Sequence, residues 1–209
     1  ATLPFLFDQG FTIYGGNIAS TLAGEFAFSI SLSVALVYLG VVARGLETGR
    51  HRALAAALLG LCALCHLIPA IFALVGTLVW LLLRPGRPQL KWVVTMAPTG
   101  AMVASFWVLP FYLRRAYLND MGWEKLTEYW INLVPADNRW LWVFPIVGAV
   151  FAVVRRSRTG IWLVLMVAAF AVGFVVAPQG RLWNARLLPF YFLCLYLLGG
   201  YAIAEAGKA

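Results

Sequence analysis

The chain has 209 residues, 63% of them hydrophobic and 11% charged, with nine Trp, fourteen Phe and a mean hydropathy of +0.85. That composition excludes a soluble domain of this size and leaves an all-α, polytopic helical membrane protein. The formal charge of +8 does not point to nucleic acid, because the basic residues fall in short clusters between apolar runs, where they set topology, and no nucleic-acid motif accompanies them.

The first fourteen residues read as part of an outside loop, with no initiator Met, basic n-region or cleavage pattern. The chain is therefore expected to be a single transmembrane domain, 1–209, from the C-terminal part of a longer membrane protein. A small, polar loop from Gly15 leads into an apolar helix over about Leu22 to Val42, which carries one charge, Glu25. Two readings of Glu25 stand. A first-turn carboxylate is stabilised by the spare N–H groups and dipole of a helix N-terminus, with Ser20 or Thr21 as N-cap. Alternatively, a carboxylate at the membrane boundary meets a cation, a sugar hydroxyl or a lipid headgroup.

The basic loop Arg44 to Arg52 is of the kind that stays in the cytoplasm, so the first span starts outside. Ala53 to Leu83 is then an apolar run of 31 residues, about 46 Å as one helix and too long for a single ~30 Å core. Basic residues at both ends (Arg50 and Arg52; Arg84, Arg87 and Lys91) put both ends on one side. The run is therefore expected to form a short Pro-containing helical hairpin with its apex near Cys65 to Pro69. Trp92 to Leu113 returns outward, bent by Pro98, Gly100 and Pro110. The polar, aromatic stretch from Arg114 to Trp140 reads as an amphipathic segment on the outer leaflet.

Three further spans follow: Trp140 to Val154, Ile161 to Ala177 and Leu187 to Ala204. They are separated by the basic Arg155-Arg156-Ser157-Arg158 and by an outside turn from Pro178 to Arg186. The sum is about seven crossings of the cytoplasmic membrane, N-terminal loop outside and C-terminus inside. Six basic residues then lie on the disfavoured outer side: Arg114, Arg115, Lys125, Arg139, Arg181 and Arg186.

Among the motifs, Cys62-Ala63-Leu64-Cys65-His66 matches the C-x-x-C-H pattern for covalent haem, but it lies inside a Leu/Ala-rich helix with no partner ligand in view. No covalent cofactor and no metal site is expected, and the three cysteines read as packing residues. His66, at the hairpin apex, either lines a cavity or hydrogen-bonds loosened backbone. Arg181 and Arg186 flank a turn that also holds Asn184, and an Arg fork matches a phosphate. They are expected to bind an anionic headgroup, against the alternative of interfacial anchoring. Arg114 and Arg115 offer a second such site. Asp120, Glu124 and Glu128 suit either a solvated face or a base or metal role.

Several stretches together carry a resemblance: Gly15 to Ser29, Cys65-His66-Leu67-Ile68-Pro69-Ala70, Phe106 to Phe111, Asp120 to Lys125 and Trp183 to Pro189. The chain resembles the prokaryotic membrane proteins labelled as related to 6-pyruvoyl-tetrahydropterin synthase, a group that in turn looks like the C superfamily of membrane glycosyltransferases. The resemblance implies a cell-envelope protein that handles a polyprenyl-phosphate-linked sugar outside the cytoplasmic membrane. Arg181 and Arg186 would meet the lipid phosphate, and Glu25, His66, Asn184 and the Arg114 to Lys125 region, with Asp120 and Glu124, would line the sugar cavity. The superfamily carries its catalytic carboxylate on the first outer loop, so the implied base lies outside this chain. A transporter or lipid flippase and a non-catalytic membrane subunit are the competing expectations.

Overall fold

A backbone in hydrocarbon has no water to bond to, so it must satisfy its own N–H and C=O groups. The computed structural model describes residues 2–8, 13–117, 125–178 and 182–208, and among these there is helix and no strand. Five helical stretches are long and apolar enough to cross a membrane: Ile18–Thr48, Arg87–Leu113, Ala136–Val154, Arg158–Val176 and Asn184–Ala206. By helix length and composition the chain is a multi-pass helical membrane protein. Its contacts divide into two units, Phe26–Asn119 and a second unit made of Ala1–Glu25 with Asp120–Ala209.

The chain opens with a short helix α1 (Thr2–Leu6), then a single turn α2 (Ile18–Ser20). The N-cap is neither Ser20 nor Thr21. Asn17 takes that role, its side chain accepting from the Ser20 N–H at 2.7 Å, because an amide oxygen one residue ahead of the helix reaches the orphan donor that a residue inside the turn cannot. A wider π turn, Thr21–Glu25, follows and contains Gly24 at φ +108°. That left-handed conformation is cheap only for glycine. Glu25 thus sits just after a break in the span, not in the first turn of an unbroken helix.

α3 (Phe26–Thr48) begins the other unit and is followed by α4 (Arg52–Cys65), α5 (Leu67–Leu83) and α6 (Arg87–Leu113). Contacts along α3 give the directions of its neighbours. The Ser31 hydroxyl lies 2.8 Å from the Cys62 carbonyl and 3.1 Å from that of His66, the Tyr38 hydroxyl 2.8 Å from Thr77, and Glu47 pairs with Arg84. α5 therefore runs alongside α3 in the same direction, while α4 runs back beside it. The 53–83 run is a hairpin, and its turn is the single residue His66, extended at φ −164° and ψ 131°. Pro69 starts α5 rather than interrupting it, since a missing N–H costs nothing in a first turn. The arms have 14 and 17 residues, about 21 and 26 Å, short of a ~30 Å core.

α6 starts five residues before the expected Trp92 and carries Pro98 and Pro110 inside it. It packs on α4 where glycines remove side chains: a Cβ on Gly100 would come within 2.9 Å of the Ala56 carbonyl oxygen. Trp92 lies over Gly45 and donates its indole N–H to the Arg50 carbonyl at 3.1 Å.

The expected surface segment resolves, where described, into short pieces: a turn Arg115–Tyr117 in the unit of α6, and α7 (Tyr129–Leu133) and a tight turn Ala136–Trp142 in the other. The latter feeds α8 (Val143–Val154). α9 (Arg158–Val176) is capped by the Ser157 hydroxyl at 3.2 Å from the Gly160 N–H, and a turn Asn184–Leu187 leads into α10 (Leu188–Ala206). α10 is the core of its unit. The apolar window of its span is 72% buried against 39% or less for the other four, so it is apolar on nearly every side. At its end Glu205 meets Arg155 at 3.2 Å and Lys208 at 2.6 Å.

α8 approaches α10 at Gly148, where a Cβ would run into the Leu198 carbonyl oxygen, whereas Gly40 has open space around it. Gly148→Ala is expected to cost about 1–3 kcal/mol through overpacking and to lower the melting temperature in detergent, with Gly40→Ala leaving it unchanged. Equal melting temperatures for the two variants would mean that α8 and α10 do not pack this closely.

Candidate functional site

Two residues that the sequence marks separately are one ion pair. Arg186, in the turn that opens α10, points a guanidinium nitrogen at Glu25 Oε1, 2.6 Å away. Its other terminal nitrogen donates to the Tyr14 carbonyl at 3.3 Å. The Arg186 side chain is only 17% exposed and that of Glu25 25%. An Arg that anchors a helix at the interface reaches outward to water and headgroups; this one is turned in. Nor is Glu25 shown capping a helix end: its Oε1 accepts from Arg186, and the cap of α2 is Asn17. Around the pair, the Tyr14 ring meets Trp183 edge-on at 5.0 Å, and burial pushes its phenol up from the usual range. The Gly15 N–H donates to the Ser20 hydroxyl at 3.2 Å, tying the loop back on α2. A guanidinium has five N–H groups in a planar fork, so two bonds leave it able to share an anion with Glu25.

Asn184 is 2% exposed and its amide is used on backbone. Its nitrogen donates to the carbonyls of Leu126 (3.0 Å) and Phe174 (3.1 Å), and its oxygen accepts the Leu126 N–H at 3.1 Å. Lys125 donates to the Val175 carbonyl at 2.9 Å, at the C-terminal end of α9, and lies 5.8 Å from the centre of the Tyr129 ring. A cation there also meets the negative end of the helix dipole. Together the two side chains pin residues 125–126 to the end of α9.

The remaining expected residues are not part of this constellation. Arg181, Asp120 and Glu124 lie outside the described residues. His66, Arg114 and Arg115 belong to the other unit. There the His66 ring accepts the Ile68 N–H at 3.3 Å, capping α5, and stands 5.2 Å from the Phe28 ring. Cys62 lies against Ser31 at 3.2 Å, in a helix interior. Arg114 and Arg115 are exposed, with Arg115 4.5 Å from the Tyr112 ring centre. Among the described residues no three His, Cys, Asp or Glu side chains come together as a metal site.

Sequence reasoning passed over Asp8. It is 6% exposed, and its Oδ2 accepts from the Tyr196 hydroxyl at 2.6 Å and from the Asn138 amide at 3.2 Å. The signal was present: Asp8 is the one charge in the first 24 residues and follows the apolar Pro4-Phe5-Leu6-Phe7. Comparison with family models, curated proteins and solved structures finds no match for this chain.

The Asn184 clamp generates a direct test. Asn184→Asp puts carboxylate oxygens against two carbonyls, a loss expected at about 1–3 kcal/mol for the unpaired groups. Amide exchange at Leu126 should then rise steeply while exchange in α10 stays slow. Unchanged protection at Leu126 would show that the clamp does not hold the segment.

Proposed function

We propose that this is a membrane protein of the cell envelope that binds a polyprenyl-phosphate-linked sugar at the outer face of the cytoplasmic membrane, with Arg186 and Arg181 meeting the lipid phosphate. The observation that carries the reading is the inward-turned Arg186, held between Glu25 and the Tyr14 carbonyl. In this reading the guanidinium that Glu25 holds off the surface is a phosphate site in a resting state: the charge is pre-placed, and an incoming dianion competes with Glu25 for the fork. In this reading Glu25 and the Gly15 to Ser20 loop face the sugar, and Asn184 supports the site by holding residues 125–126 against the end of α9. The membrane topology proposed is five full spans plus the 53–83 hairpin, which enters from the cytoplasmic side; that makes about seven passes, N-terminal loop outside. The resemblance to C-superfamily membrane glycosyltransferases supports the same substrate class. Transfer itself would then need a base to activate the acceptor hydroxyl and Arg side chains to stabilise the departing phosphate.

A transporter or lipid flippase is the second reading, favoured by the break at Gly24 beside a charged residue in a span. Interrupted helices with charges at the break are how many transporters build their substrate sites.

Opposite effects of two substitutions test the phosphate assignment. In native mass spectrometry of the protein released from lipid, Arg186→Ala should reduce retention of undecaprenyl phosphate roughly tenfold or more, the scale of a lost charge-assisted hydrogen bond. Glu25→Gln should raise it, because the competing carboxylate is gone. A purely structural ion pair would make the two variants behave alike, and that outcome would remove the phosphate site.

A further inference from the structure

In the unit Phe26–Asn119, α3 and α5 end beside the starts of α4 and α6. Three contacts hold those four helix ends together: Glu47 pairs with Arg84, Gln89 donates to the Leu46 carbonyl at 3.3 Å, and Trp92 donates to the Arg50 carbonyl at 3.1 Å. The charge gathered there is of one sign. Glu47 is the only carboxylate in the unit's sequence, and Arg44 and Arg84 share it. Arg50, Arg52, Arg87 and Lys91 stand on the same end and are exposed, and among the described residues none of them meets a carboxylate. Even Arg84, with Glu47 on a terminal nitrogen, keeps its Nε–H buried and without an acceptor.

The backbone adds to this excess. Neither His51 ahead of α4 nor Gly86 ahead of α6 caps its helix through a side chain, so two sets of first-turn N–H groups and two positive dipole ends face the same way as the cations. Basic residues at such an end orient a span. Where they converge between membrane helices they also bind anionic headgroups, and an Arg fork matches the oxygens of a phosphate. Exposed apolar side chains stand close to the cations along the chain: Leu54 on α4, Leu82 on α5 and Leu90 on α6. A phosphate that carries hydrocarbon meets both kinds of surface. A free phosphate or a nucleic acid would meet only the first.

We infer that this end of the unit binds an anionic phospholipid of the leaflet it meets, the headgroup phosphate among Arg50, Arg52 and Lys91 and an acyl chain along Leu54 and Leu90. The Trp92 bond brings the Arg50 backbone to the first turns of α6, next to Lys91, which is why these three basic residues are assigned to one headgroup. The inference rests on the chain crossing a membrane. It does not rest on the phosphate site at Arg186, which lies in the other unit.

The test is native mass spectrometry of the full chain in detergent, supplied with equal amounts of phosphatidylglycerol and phosphatidylcholine that carry the same acyl chains. Phosphatidylglycerol should be retained about tenfold or more over phosphatidylcholine, and excess inorganic phosphate should not displace it. Arg50→Gln, Arg52→Gln and Lys91→Gln combined should abolish that preference. Arg156→Gln with Arg158→Gln, which removes exposed charge from the other unit, should leave it in place. Glu47→Gln frees Arg44 and Arg84 and should raise retention, the reverse of what loss of a purely structural pair would do. Equal retention of the two lipids, a triple variant that keeps the preference, an Arg156 and Arg158 variant that loses it as fully, lower retention in Glu47→Gln, or displacement by inorganic phosphate would each overturn the assignment.

Discussion

The dependence of a hydrocarbon-embedded backbone on its own hydrogen bonds shapes this protein at every place where a helix stops. Each interruption frees N–H and C=O groups that lipid cannot satisfy, and at several of them a particular side chain takes them up. Asn17 accepts from Ser20 ahead of α2, His66 accepts from Ile68 at the hairpin turn, and Ser31 donates to the carbonyls of Cys62 and His66 from the neighbouring helix. Ser157 caps α9, while Lys125 and Asn184 close its far end through Val175 and Phe174. Several polar residues of an apolar chain thus serve the places where helices end.

The same constraint explains how charge is handled. A carboxylate in a span is tolerated where a cation can reach it, and three described carboxylates of the long helical stretches have such neighbours: Glu25 with Arg186, Glu47 with Arg84, Glu205 with Arg155 and Lys208. Glu47 and Glu205 stand at helix ends, Glu47 part-exposed and Glu205 buried. The pair of Glu25 and Arg186 differs in its place, beside a break in the span and with the Tyr14 carbonyl on the same guanidinium. Asp8 is treated differently again, received by a phenol and an amide at the wall of a cavity.

Close helix packing supplies the rest of the fold. With no water to exclude between helices in lipid, van der Waals contact between surfaces that fit must hold them. Gly60, Gly100 and Gly148 lie where backbone or side chain of a neighbouring helix fills the space of a Cβ. α10 is the extreme case: ringed by neighbours, it has aromatic and aliphatic residues on nearly every face, and its sequence shows little of the one-sided pattern that marks a surface helix.

Much of this was legible in the sequence. Hydropathy alone dictates helices, because runs of apolar residues separated by basic clusters have no other way to satisfy their backbone in a membrane. Run length and flanking charge also led to the hairpin over 53–83, and the inconvenient placement of Arg186 and Glu25 marked each as unusual. Three things were left to the tertiary structure. That Glu25 and Arg186 are partners is a contact 161 residues apart along the chain, which no local pattern encodes. That Asn184 and His66 serve the backbone depends on which carbonyl or N–H a fold leaves orphaned beside them. That Asp8 matters depends on α10 bringing Tyr196 to it, 188 residues on. A sequence records which residues lipid will accept along a helix, since that is settled residue by residue; which polar groups meet is settled only when the helices pack, because each hydrogen bond needs both partners in place.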